Sequence, residues 1–161
     1  MIDLVAEGVD LSLRMGDMAD STAVARKIAT GARCVVATPA YLARTGIPQS
    51  PADLARHHAL VYSQLGDTWV FRQGKAEETV TIRGRLRLGA AEGVRAGVMA
   101  DMGLAVTTEW MFAPELASGA VQRVLPEWTL PTIDLWAVYP SGCLATAKAK
   151  AFADFVERIL I

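Results

Sequence analysis

The passage that most constrains this chain is Glu7-Gly8-Val9-Asp10-Leu11-Ser12-Leu13-Arg14-Met15-Gly16. Asp3 to Glu7 reads as the last turn of a helix, closed by Gly8, because glycine tolerates the left-handed conformation of a helix stop. Val9, Leu11 and Leu13 then alternate with Asp10, Ser12 and Arg14, the period-two pattern of a strand. Arg14-Met15-Gly16 ends that strand, and a polar loop from Asp17 to Thr22 follows. Helix, strand and a polar loop at the strand's carboxyl end form an α/β unit, and open α/β sheets bind ligands at such ends.

Composition narrows the class. The chain has 161 residues, enough for one ordinary domain or two small lobes. Hydrophobic residues make up 52% and charged residues 20%, so the chain is globular rather than disordered. A net charge of −1 gives no electrostatic footprint for DNA or RNA. Arg83, Arg85 and Arg87 lie two apart and are expected on one strand face, a solvated face rather than a phosphate site given the balanced charge. No apolar run reaches the roughly 18 residues that span a membrane. Met1-Ile2-Asp3 lacks the basic start and apolar core of a signal peptide, so the expected location is the cytoplasm. Cys34 and Cys143 are far apart, and Cys34 in its apolar run reads as a small buried side chain rather than half of a disulfide.

The remaining elements follow in order. Ala23 to Ile28 fits a short strand, and Arg33 to Ala37 is a continuous apolar run suited to a strand buried on both faces. Thr38 caps a helix with Pro39 in its first position and Gly46 as its stop. Ser50, Pro51 and Asp53 repeat the device for a second short helix, closed by His57 and His58. Strands are expected at Ala59–Ser63, Thr68–Arg72 and Thr79–Leu88, the last long and half-exposed, with a turn at Gln73-Gly74-Lys75. A helix over Ala91–Met102 presents Val94, Val98 and Met102 on one face and stops at Gly103. Leu104–Val106 is a short buried strand, Glu109–Ala117 a helix stopped by Ser118-Gly119, and Val121–Leu125 and Leu135–Tyr139 the last strands, with a linker at Pro126–Pro131. Thr146 caps a final helix whose Phe152, Phe155, Val156, Ile159 and Leu160 follow the spacing of a buried stripe.

Enzyme signatures are absent from the sequence: no Gly-x-Ser-x-Gly elbow, no phosphate-cradling glycine loop, no His-Glu-x-x-His. The two histidines are adjacent and point apart on a helix, and Cys34 has no neighbouring cysteine for a zinc knuckle. No enzymatic activity, cofactor or metal is expected.

The ordered set of residues resembles the effector-binding domain of LysR-type transcriptional regulators. The resemblance rests on Asp3 to Leu11, Arg14-Met15-Gly16, Asp20-Ser21, Ala37-Thr38-Pro39-Ala40-Tyr41-Leu42 and Pro51-Ala52-Asp53-Leu54. It continues through His57, Trp69, Gly103-Leu104-Ala105, Leu125-Pro126 and Ala137-Val138-Tyr139-Pro140. Gly-Val-Asp-Leu with the later Thr-Pro-Ala-Tyr-Leu looks most like the branch with the Arg-x-Gly strand end.

That resemblance implies an α/β, two-lobed fold like the type II periplasmic binding proteins, with a small effector between lobes. It implies an incomplete first lobe from residues 1–32 and 132–161, and a second lobe over 33–131. The winged helix-turn-helix of the family is absent, so DNA is reached only through an absent N-terminal domain. The family's dimer implies a homo-oligomer whose second-lobe helix is Ala91–Met102. The expected function is capture of a small, anionic metabolite; the alternative is a solute-binding protein of a transport system on the same fold.

Six residues are candidates for effector contact. Arg14 ends a strand, where it either clamps a carboxylate through two parallel hydrogen bonds or makes an ordinary surface ion pair. Ser21 and Thr22 offer hydroxyls in the adjoining loop, or satisfy their own backbone. Tyr62 and Ser63 match the family segment that faces the effector, with core packing as the other reading. Thr107 lines the cleft or, with Thr108, caps the following helix. The start of the Ala91 helix offers free N–H groups, but Glu92 there repels an anion.

Overall fold

The computed structural model describes residues 8–16, 24–63, 65–82, 84–140 and 145–160. The helical turn expected at Asp3–Glu7, Ala23, Arg83 and Cys143 lie outside the described residues. The chain divides into two compact units, Met1–Gly31 with Thr132–Ile161, and Ala32–Pro131.

The first unit contains strands β1 (Ser12–Met15), β2 (Val24–Gly31) and β10 (Ile133–Tyr139), with helix α4 (Ala147–Leu160). They form an antiparallel sheet in the order β1-β10-β2. The β2 strand runs three residues beyond the expected Ile28 because β10 pairs with it down to Ile133 opposite Gly31. Strand β1 starts at Ser12, three residues later than the alternation at Val9 predicted. Its ladder starts opposite Val138, one residue before β10 ends, and Asp10 ahead of it accepts from the Lys148 ammonium at 2.6 Å and the Thr146 hydroxyl at 3.4 Å. The apolar side of the strand is partly open: Leu13 and Met15 are each 40% exposed.

Helix α4 begins as expected at Thr146, whose hydroxyl accepts from the Ala149 amide. Residues opposite each other on paired strands share a face. Arg26 and Leu13 both stand opposite Ala137, and Arg26 pairs with Asp154 and Glu157 of α4, so α4 covers the Ala137 face. The helix meets the sheet through Ala149, Ala153 and Val156. Phe152, Phe155 and Ile159, expected in a buried stripe, are 49%, 51% and 62% exposed. The same three-four spacing also fits the small residues, and alanines let a helix approach a sheet most closely. At 3.6 residues per turn, Asp154 and Glu157 occupy one flank of that alanine seam and Phe152, Phe155 and Ile159 the other. Phe152 also lines an open hollow with Asp10, Leu11, Lys148 and Ala149.

The second unit begins with β3 (Arg33–Ala37), α1 (Pro39–Thr45), a 3-10 turn at Pro51–Arg56 and β4 (Leu60–Tyr62). It continues through β5 (Thr68–Gln73), β6 (Ala76–Thr81), β7 (Leu86–Leu88) and α2 (Ala91–Met99). It closes with β8 (Ala105–Thr108), a 3-10 turn at Glu109–Phe112, α3 (Ala113–Ser118) and β9 (Gln122–Val124). Strand order is β8-β3-β9, with the parallel pair β4-β7 set beside β8 by a bridge between Ala59 and Leu104. Strand β3 feeds both sides of the core. Val35 and Ala37 pack with Tyr41, Leu54, Trp69 and Phe71, while Cys34 and Val36 pack with Leu60, Val98, Phe112 and Val121.

Caps and turns behave as their chemistry requires. The Thr38 side chain accepts from the Tyr41 amide, and Asp53 closes a capping box with Ser50, though the turn it starts is 3-10 rather than α. Gly74-Lys75 connects the β5-β6 hairpin. Three expectations fail. The strand predicted over Thr79–Leu88 is two strands, because β6 pairs antiparallel with β5 whereas β7 pairs parallel with β4. The chain changes partners through a tight turn, where the Gly84 amide donates to the Ile82 carbonyl at 3.1 Å. Arg85, just ahead of β7, and Arg87 within it are both exposed, as a solvated face requires, and Arg87 pairs with Asp67 at 2.5 Å.

Helix α2 ends at Met99, three residues before the expected Met102, and Met102 is 43% exposed. Asp101 at φ 56° supplies the left-handed stop, held by the Thr38 hydroxyl on its carboxylate and by Arg44 on its carbonyl at 2.8 Å. Gly103 serves close approach instead: a side chain there would collide with the His58 carbonyl, which accepts from Leu104 at 2.9 Å. The helix expected over Glu109–Ala117 is split into the 3-10 turn and α3, where Pro114 occupies the first turn. An ion pair between Arg95 and Glu115 joins α2 to α3.

Candidate functional site

Within the second unit, the sequence candidates converge on one sheet edge. Strands β4 and β8 run parallel through the Ala59–Leu104 bridge, and β7 runs parallel to β4. Their carboxyl ends therefore align, bringing Tyr62 and Ser63, Leu88 with the start of α2, and Thr107 with Thr108 to the same edge. This is where an α/β sheet presents ligand-binding groups.

The groups on that edge differ in availability. Tyr62 is half-buried, and its hydroxyl makes no hydrogen bond among the described residues. Burial first, and the nearby Glu92 carboxylate second, push its phenol above the usual range, so it stays a neutral donor. Ser63 is exposed, with its amide tied to the Leu88 carbonyl at 2.9 Å and its hydroxyl unengaged among the described residues. Thr107 is 1% exposed, and its hydroxyl donates toward the Met111 sulfur at 3.2 Å. It is thus an internal tie between β8 and the following turn. Thr108 stands at the cap position but makes no side-chain cap bond. The α2 start has Ala90 as its cap, with no side-chain bond and Glu92 in the first turn.

Two other titratable groups in this unit have shifted pKa values, Cys34 buried and His57 half-buried. The Cys34 thiol, opposite Thr107 on β3, is pushed up to about 11 chiefly by burial, which makes it inert at neutral pH. His57 lies beside the Tyr41 hydroxyl at 3.3 Å, and burial holds its imidazole below the ordinary range. Among the described residues no group of three or more metal-ligating side chains comes together, and no helix is long and apolar enough to cross a membrane.

In the first unit, Arg14 is half-buried on β1 and makes no ion pair among the described residues. It stands opposite Trp136 on β10, a neighbour the sequence gives no means of finding because the two are joined only by strand register. The Trp136 indole N–H donates to the Gly16 carbonyl at 2.9 Å, and the Gly16 amide donates to the Asp134 carbonyl at 3.0 Å. Asp134 is occupied elsewhere: the Thr30 hydroxyl at 2.6 Å and the Lys27 ammonium hold it below the usual carboxylate range. Ser21 and Thr22 lie outside the described residues.

Comparison with known proteins gives this geometry its context. The family model described as "LysR substrate binding domain" matches residues 1–160. The regulator DmlR of Escherichia coli is 32% identical over 161 residues, covering 98% of this chain and 52% of its own length. PtxR of Pseudomonas aeruginosa is 35% identical over 162 residues, again 98% of this chain and 51% of that protein. The chain thus spans about half the length of these curated relatives. Among solved structures, the regulatory domain of CrgA from Neisseria meningitidis superposes with a TM-score of 0.85 at 28% identity, over 99% of this chain and 79% of that one. Full-length AphB of Vibrio cholerae, a virulence activator, gives 0.78 at 26% identity, over 99% and 55%. These likenesses place the α/β architecture in the type II periplasmic-binding-protein class. The chain belongs to the LysR substrate-binding domain family.

Proposed function

We propose that this chain is the effector-sensing domain of a cytoplasmic LysR-type transcriptional regulator and takes a small, anionic metabolite. The membership rests on the match across residues 1–160 and on relatives that are transcriptional regulators. The anionic character rests on one observation: Arg14, half-buried at a strand end and without an ion pair among the described residues. A guanidinium in that position has a rigid donor fork matched to a carboxylate. Within the second unit, Tyr62 and Ser63 carry the hydroxyl donors at the sheet edge, and Thr107 ties the strand end behind them.

In this reading the unit of Met1–Gly31 with Thr132–Ile161 corresponds to the family's first lobe and Ala32–Pro131 to the second. The exposed Leu13, Met15, Phe152, Phe155 and Ile159 fit a first lobe that further elements of a longer regulator complete. DNA contact belongs to a separate helix-turn-helix, and the regulator works as an oligomer. The effector acts by population shift: it binds one arrangement better than the other, and only that difference in affinity moves the equilibrium. No observation favours transport or catalysis over sensing.

The test is a thermal-shift screen of small mono- and dicarboxylates on the intact regulator. A true effector at one hundred times its Kd stabilises by about 2.7 kcal/mol. Arg14→Gln should abolish the shift without lowering the ligand-free Tm by more than a degree or two. A panel in which no carboxylate moves Tm or DNA affinity sinks the proposal.

A further inference from the structure

We infer that Trp136 is a positioning residue for Arg14: its indole fixes the end of strand β1 so that the guanidinium is pre-aimed at a carboxylate. The inference rests on the reading of Arg14 given above. Strand β1 has four residues and, among the described residues, lies at the sheet edge with a ladder on one side. Short edge strands fray, and an arginine on a fraying strand loses much of its directional value. Here the strand end is held at both backbone groups of Gly16. Its amide donates to the Asp134 carbonyl at 3.0 Å, and its carbonyl accepts from the Trp136 indole at 2.9 Å.

The same Trp136 stands directly opposite Arg14 in the ladder, and its N–H anchors the backbone two residues further on. Gly16 adopts φ 108°, a region that favours glycine, so the Arg14-Met15-Gly16 order suits this lock. The acid nearest along β10, Asp134, is engaged with Thr30 and Lys27, and no other acid of the described residues pairs with the guanidinium. Among the described residues Arg14 is therefore a cation without a counter-charge, on a strand end that the tryptophan holds.

The experiment uses the full chain and succinate as probe, with Kd from calorimetry and Gly16 amide exchange from NMR. Trp136→Phe keeps the ring and deletes the donor. The expected result is a Kd about tenfold weaker, the equivalent of one lost hydrogen bond, with faster Gly16 exchange and an unchanged far-ultraviolet spectrum. Val138→Ala, on the same strand and the same face, should lower the melting temperature and leave Kd unchanged. That contrast separates positioning from simple support of the fold. Should Trp136→Phe not fold, benzothienylalanine at position 136 replaces N–H by sulfur in the same shape and makes the same measurement. An unchanged Kd in the donor-deleted protein, with Arg14→Gln abolishing binding, overturns this inference and leaves the Arg14 site standing. Failure of the native chain to bind succinate or any other member of the mono- and dicarboxylate panel overturns both.

Discussion

The two units use their apolar residues in opposite ways. Among the described residues, the largest fully buried side chains, Tyr41, Phe71, Phe112, Leu54 and Leu60 foremost, all belong to the second unit. That unit packs helices and a hairpin around β3 so that both faces of the strand are covered. The first unit has three strands and one described helix, and its sheet is sealed by Ala149, Ala153 and Val156 while Phe152, Phe155 and Ile159 stay in solvent. A layer covered by a single alanine-lined helix removes little apolar area from water, and small units bury proportionally less of their surface. The family match spans both units, but the buried apolar contacts are concentrated in one. Buried apolar packing is concentrated in the second unit, while Arg14, the cation proposed for recognition and without an ion pair among the described residues, sits in the thinly packed first.

The largest expected effect tests the second unit directly. Phe112 is completely buried in the cluster with Cys34, Val36 and Val98. Phe112→Ala should cost about 3–5 kcal/mol, the range for emptying a packed aromatic site. Urea unfolding read by the unit's own tryptophans, Trp69, Trp110 and Trp128, measures it; Trp136 is the tryptophan of the first unit and reports separately. A loss below about 1 kcal/mol would mean this core is far looser than its burial implies. Next comes Gly103→Ala, which drives a methyl into the His58 carbonyl between β4 and β8. Its expected cost is about 1–3 kcal/mol, as for other overpacked sites. A neutral result would show that the two strands have room to separate.

Features decided by local chemistry were legible in the sequence. Thr38, Ser50 and Thr146 cap where a hydroxyl next to a helical pattern must, and Gly74 turns a hairpin whose flanking strands alternate. What failed depended on partners far along the chain. Nothing in Thr79–Leu88 says that its first half pairs with Thr68–Gln73 and its second half with Leu60–Tyr62. The spacing of α4 marks an apolar helix, yet the alanines and the phenylalanines satisfy the same period, and only the sheet beneath decides between them. At the candidate site, the strand-end position of Arg14 and the Tyr62-Ser63 segment could be read directly. The pairing of Arg14 with Trp136 could not, because register between distant strands is not written in either segment alone. Nor could the burial of Thr107, since a threonine at a strand end looks the same whether its hydroxyl meets a ligand or the Met111 sulfur.

A smaller effect comes from His57. Its folded pKa is depressed by burial, the opposing pull of Asp53 notwithstanding, while the unfolded value is near 6.5. The unfolded chain therefore binds the proton more readily. Stability from this group is fully present above the unfolded pKa and is lost as pH falls through the folded one. Urea midpoints from pH 8 to 5 should decline, and the slope should be shallower in His57→Gln. An identical slope in the variant would place the pH response on other groups.

The smallest expected effect is the one that most sharpens the contrast between the units. Phe152, Phe155 and Ile159 are about half-exposed or more, so replacing them with Gln, Gln and Thr removes little buried area. Substitutions of exposed residues ordinarily stay within about 0.5 kcal/mol each. Unfolding followed at Trp136 should then be nearly unchanged, while sedimentation velocity should show less self-association, because an exposed apolar helix flank invites contact with other apolar surfaces. The informative failure is a loss of several kcal/mol in the triple variant. Such a loss requires those side chains to be covered in solution. The difference between the units would then lie in where the covering surface comes from, and no longer in how much apolar area each one buries.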